Sequence, residues 1–205
     1  MNRQNETGFT LYELLIVIVI VGIIASIGIP GLSEFAQNSR ITGVANDLHS
    51  SFLLARSEAP RVKNNVTVCS SENSMDDEPD CDDKPDFPFR GGWIVFIDAD
   101  GDNDATDSAG QEILRRHPAV PDTIQIETND DDAVLFSYGA NGMGRRNFDD
   151  DSDLIVQTII ICDERGNERA SGGWSSARFI RLTPLGRPAV LRDVNQIEAA
   201  GSCPD

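Results

Sequence analysis

From Phe9 to Ile29 the chain reads FTLYELLIVIVIVGIIASIGI, apolar at nearly every position and carrying one formal charge, Glu13. As a helix rising about 1.5 Å per residue, such a run spans about 30 Å, the hydrocarbon thickness of a bilayer. It has no polar face, so it must meet lipid or other proteins on every side. Pro30 and Gly31 follow. A proline inside a helix removes a backbone bond, which predicts a kink at Pro30. Beyond it the period changes. Ile41, Val44, Ala45, Leu48, Phe52 and Ala55 recur at three- and four-residue spacing. That stripe predicts an amphipathic continuation over 30–59, packed on a folded domain.

After Pro60 the apolar runs are short and rich in β-branched residues. They predict strands at Val66–Cys69, Trp93–Asp98, Glu112–His117, Thr123–Glu127, Ala133–Tyr138, Leu154–Cys162, Ala177–Thr183 and Ala189–Arg192, broken by Asp, Gly, Asn and Pro turns. One long helix followed by strands implies an α+β fold, with an antiparallel sheet on the helix. The chain divides into a short polar leader (1–8), the apolar helix (9–29), its amphipathic continuation (30–59) and a β-rich domain (60–205). Ser70–Phe89, acidic and Pro-rich, reads as a loop.

The formal net charge is −17, and most of the acid lies beyond residue 70. This opposes broad, non-specific binding to nucleic acid, which needs clustered Lys and Arg. The four cysteines, Cys69, Cys81, Cys162 and Cys203, contain no C-x-x-C pair. An even count in a translocated domain favours disulfides over zinc. Of three possible pairings, Cys69–Cys81 would close a short acidic loop and Cys162–Cys203 would tie the C-terminus to a strand; this is the preferred pairing.

A secretory signal is cut after its apolar segment; here the small residue lies before it. The leader MNRQNETG ends in Gly8, and FTLYELLIVIVIVGIIASIGIP follows. The combination resembles the type IV prepilin pattern. The resemblance implies cleavage by prepilin peptidase between Gly8 and Phe9 and methylation of the new Phe9 amine. The residues themselves offer no catalytic constellation, since His49 falls off the helix stripe, His117 ends a strand and neither neighbours a nucleophile in sequence, and no resident cofactor is expected. Arg3 fits a leader kept on the cytoplasmic side. A carboxylate in hydrocarbon costs about 3 kcal/mol on insertion scales and needs a partner. The resemblance supplies one: Glu13 would pair with the Phe9 amine of a neighbouring subunit during filament assembly.

Further on, LLARSEAPRVKNNVTVC, GGWIVFIDADGD, EILRRH and FIRLTPLGRPA are similar to the FimT/FimU minor pilins and the GspH pseudopilins of type II secretion. This implies a pilin fold and a subunit anchored in the bacterial inner membrane, its domain in the periplasm, that joins other pilins or pseudopilins in a filament. A minor pilin helping to start a type IV pilus near its tip is the leading expectation; a type II secretion pseudopilin and a DNA-binding minor pilin for natural transformation are the alternatives.

Two chemical motifs remain. Asp98, Asp100, Asp102 and Asp104 alternate as calcium ligands do. Yet neither EF-hand register places Gly sixth and Glu twelfth, so an acidic connection is the plainer reading, and a melting-temperature titration with calcium decides between them. Arg178, Arg181, Arg187 and Arg192 lie in or beside the last strands. Some FimT-type pilins bind DNA through a Gly-Arg-x-Arg segment; here Gly186-Arg187-Pro188-Ala189 lacks the second Arg, so pairing with carboxylates is the plainer role.

Overall fold

A computed structural model of the chain describes residues 9–82, 87–105, 110–130, 133–145, 156–170, 172–183, 185–201 and 203. The first element, α1, is one 52-residue helix, Leu11–Val62. It opens with a reciprocal cap. Glu13 Oε2 accepts from the Thr10 amide and the Thr10 hydroxyl, each at 2.9 Å, and the Thr10 hydroxyl oxygen accepts from the Glu13 amide at 3.3 Å. Amides that no helical carbonyl reaches are thereby satisfied. The helix continues through Pro30 without interruption and ends at Val62, not Ala59. Pro60 falls in the last turn, where its missing N–H forfeits a single bond. The stop comes instead from Lys63, at φ 56°, and from the Asn64 amide, which bonds the Ala59 carbonyl at 3.2 Å. This is a left-handed helix cap built without glycine.

Two compact units divide the chain within α1, one through Ser39 and one from Arg40 onward. In the first unit, successive residues from Leu11 to Ile24 expose their side chains; Leu11 is 84% exposed and even Ile16 is 38% exposed.

The second unit holds β1 (Asn65–Ser70), β2 (Trp93–Asp98), β3 (Glu112–His117), β4 (Gln125–Thr128), β5 (Leu135–Tyr138), β6 (Thr158–Cys162), β7 (Arg178–Leu182) and β8 (Pro188–Leu191). The strands form two four-stranded antiparallel sheets, ordered β3-β2-β1-β5 and β4-β6-β7-β8, where the pattern implied one. Two strands start later than the pattern suggests because turns claim their amides. Ile124 bonds the Pro121 carbonyl at 2.8 Å, and Ala133 bonds that of Asp130 at 2.9 Å. The predicted strand start at Leu154 lies outside the described residues.

The α1 stripe, Ile41 through Ala59, is buried against both sheets, beside Val66, Val95, Phe136, Ile159 and Ile180. β6 is buried on both faces: Ile159 and Ile161 face this cluster, while Ile160 and Cys162 join Phe179 and Ile197 on the other side. Ile197 belongs to α2 (Val194–Ala200), a short helix capped by Asp193, which accepts from the Gln196 amide at 3.1 Å. Disulfides join Cys69 to Cys81 and Cys162 to Cys203.

Candidate functional site

Among the described residues, the first unit buries no apolar side chain. α1 is long and apolar enough to cross a membrane, and none of its most apolar stretch is buried. Phe9 is 87% exposed at the foot of the helix; Gly8, the other half of the expected cleavage site, lies outside the described residues. Glu13 sits one turn above Phe9, and both Thr10 bonds fall on Oε2. Thr10 was absent from the sequence-based site, although the T-x-x-E spacing that signals its role is visible in the chain.

The acidic loop after β2 gathers Asp98, Asp100 and Asp102, each with a carboxylate oxygen within 4.8 Å of the others. Asp104 stands outside that group; its amide donates to Asp102 Oδ1 at 3.0 Å. Asp98 is fully buried and accepts from the Gly101 amide at 2.8 Å and the Thr67 hydroxyl at 3.3 Å. Arg145 Nη1 lies 3.6 Å from Asp98 Oδ2 and donates to the Gly101 carbonyl at 3.1 Å. Burial pushes the Asp98 carboxyl above the usual range; the Gly101 and Asn103 amides, then Arg145, pull it back, and Asp102 pushes it further up. A guanidinium of the chain itself therefore faces Asp98, one of the carboxylates that a calcium site would have used.

Residues 44–186 match the family model for the type II transport protein GspH. The chain belongs to the GspH family. Residues 3–29 of this GspH-family chain match the prokaryotic N-terminal methylation motif. The type IV major fimbrial protein FimA of Dichelobacter nodosus is 30% identical over 122 residues, 53% of this chain and 74% of that protein. The type IV major alpha-pilin of Moraxella bovis is 36% identical over 78 residues, 38% of this chain and 46% of that pilin, less than half its length. Among solved structures, the minor pilin FimU of Pseudomonas aeruginosa aligns over 78% of this chain and 94% of its own, with a TM-score of 0.49 and 17% identity. Pilins and pseudopilins are structural subunits, and this GspH-family chain is not an enzyme.

The four arginines of the GspH-family chain do not share one face. Arg178 is 4% exposed and donates to the Ser176 carbonyl at 2.7 Å, the Ala177 carbonyl at 3.1 Å and the Thr42 hydroxyl at 2.8 Å. Burial first, then Arg192 and Arg165, pull its guanidinium down to about 10, against the opposing effect of Asp163. Arg178 ties β7 to α1, and its burial removes it from the four arginines that a DNA contact would have used. Arg181 and Arg187 are exposed, while Arg192 is half-buried and donates to the Ser175 carbonyl at 3.1 Å. Gly186, at φ 72°, is explained by packing: a Cβ there would sit 2.5 Å from Tyr138 Cε1.

Proposed function

We propose that this chain is a minor pilin of a type IV pilus. Prepilin peptidase cuts between Gly8 and Phe9, the Phe9 amine is methylated, and the helix waits in the inner membrane with residues 60–205 in the periplasm. The subunit then leaves the bilayer by packing its helix among those of other pilins, and helps to start the filament near its tip. The observation that carries this reading is the segment from Leu11 to Ile24, exposed throughout and apolar but for Glu13, in a chain with a methylation motif and a GspH domain.

Glu13 supplies the register. With both Thr10 bonds on Oε2, Oε1 is placed to take a neighbour's N-terminal amine, which removes the cost of an unpaired carboxylate in hydrocarbon. Mass spectrometry of mature protein from cells should find an N-terminal methyl-phenylalanine at position 9. Glu13→Gln should accumulate in the membrane yet be lost from sheared filaments. A different first residue, or normal incorporation of the variant, refutes the proposal.

The GspH family match favours a second reading, a pseudopilin of a type II secretion system. Deleting the gene separates the two: lost surface pili support the first, and folded proteins stranded in the periplasm support the second.

A further inference from the structure

The chain has two tryptophans with opposite surroundings. Trp93 is fully buried, whereas Trp174 is 57% exposed. Trp174 sits in a hairpin closed by the Arg169–Ser175 bridge, where the Ala170 amide bonds the Trp174 carbonyl at 2.9 Å and the Gly173 amide bonds that of Ala170 at 3.0 Å. The turn depends on Gly172 and Gly173, at φ 104° and 83°, angles that disfavour any side chain.

This hairpin is fastened to α2. Ser175 donates its hydroxyl to Asn167 Oδ1 at 2.6 Å, and Asn167 Nδ2 donates to the Val194 carbonyl at 3.2 Å. The Ser175 amide bonds the Arg192 carbonyl at 3.0 Å. Between hairpin and helix lies a cavity of about 210 Å³, lined by Trp174, Arg169, Asp193, Val194 and Asn195. The backbone of its walls is fixed by these bonds and by Ile197 in the core, while Arg169, Trp174 and Asn195 present exposed side chains at its mouth.

We propose that this cavity binds one ring of a glycan carrying N-acetylated sugars. The size favours a single ring, since drug-sized sites run to about 300–1,000 Å³. The indole offers a flat apolar face to the C–H face of a pyranose. Asp193 accepts from hydroxyls, Arg169 donates, and the Asn195 amide does either. Val194, 9% exposed, gives the acetamido methyl an apolar floor. Charge excludes the obvious rivals: one Arg against one Asp leaves the mouth near neutral on a chain of formal charge −17. A polyanion would be repelled by the whole chain, and a polycation would find stronger acidic sites elsewhere. The proposal does not depend on the filament reading.

The test uses the full chain in a detergent without a sugar headgroup, with tryptophan emission as the readout. Chitotetraose should shift emission to the blue and saturate below about 10 mM, the range of a weak single-ring site. Trp174→Ala removes the reporter, so its binding is read by saturation-transfer NMR of chitotetraose, where the signal should be lost; Asn195→Ala should weaken binding several-fold with an unchanged melting temperature. Maltotetraose, with no acetamido group, should leave emission unmoved. Sacculi that retain the protein until chitotetraose displaces it identify a cell-wall strand as the source of the sugar; sacculi that do not retain it assign the site to soluble oligosaccharides. The proposal is overturned by an absent shift, by an equal shift with maltotetraose, or by binding that survives Trp174→Ala.

Discussion

Tyr138 ends β5 with its side chain fully buried and its hydroxyl without a hydrogen-bond partner among the described residues. Burial pushes the phenol above its usual range. A buried hydroxyl that has lost water and gained nothing costs about 1–3 kcal/mol. Tyr138→Phe keeps the ring packing on Phe136, at a centroid distance of 4.9 Å, and deletes the orphan. Thermal unfolding should show the variant more stable by about 1 kcal/mol; a loss of stability would reveal a bound water in place of the orphan. Asp98 makes a pH-dependent prediction. Its folded carboxyl lies above the unfolded value, so the folded chain holds that proton more tightly and the ionised form is the destabilising one. The penalty is present at neutral pH and is relieved as pH falls through the raised value. Asp98→Asn has no such proton, so the melting temperature of wild type minus variant should rise between about pH 7 and about pH 4. A flat difference contradicts the assignment. Neither environment is legible in the sequence, because both depend on residues brought together from distant segments, such as Arg145 over Asp98.

At the scale of elements, α1 shows what could be read in advance and what could not. Its buried stripe follows the three-and-four spacing from Ile41 to Ala55, because a helix packed on one side needs one apolar face. The position of β2 was equally plain, since an apolar run bounded by turn residues marks it, and β3 was found at its predicted bounds although only Ile113 and Leu114 in it are apolar. Sheet membership was not: β6 is buried on both faces and so lacks the alternation that reveals which side faces inward. α2 escaped notice because seven residues with two buried side chains, Val194 and Ile197, make a single turn-to-turn repeat. Thr10 was missed although its spacing to Glu13 is a capping signature. The end of α1 was misplaced because Pro60 reads as a stop, whereas the stop is a backbone conformation at Lys63. That conformation costs a non-glycine residue about 1–2 kcal/mol, and glycine's extra freedom when unfolded returns about half of it. Lys63→Gly should therefore stabilise the chain by about 0.5–1 kcal/mol, a rise of about 1–4 °C in melting temperature. An unchanged or lower value would mean that the lysine contributes more than its backbone costs.

At the scale of the whole molecule, the boundary inside α1 separates two kinds of surface. Upward from Arg40, Ile41, Leu48 and Phe52 are each fully buried by residues of the same unit. Below it, each Leu, Ile or Phe left in water forgoes about 1.5–3 kcal/mol of burial, and the run from Leu11 to Ile24 repeats that cost residue after residue. The domain's stability and the chain's need for an apolar environment are thus separable. A chain beginning at Arg40 loses no member of the main buried cluster, which starts at Ile41, and it keeps both disulfides. It should be monomeric in water without detergent, as read by size-exclusion chromatography. It should also show a cooperative thermal transition close to that of the full chain in micelles. The full chain without detergent should aggregate. If the shortened chain aggregated as well, the upper half of α1 would owe its packing to the apolar half, and the division of labour along this helix would be wrong.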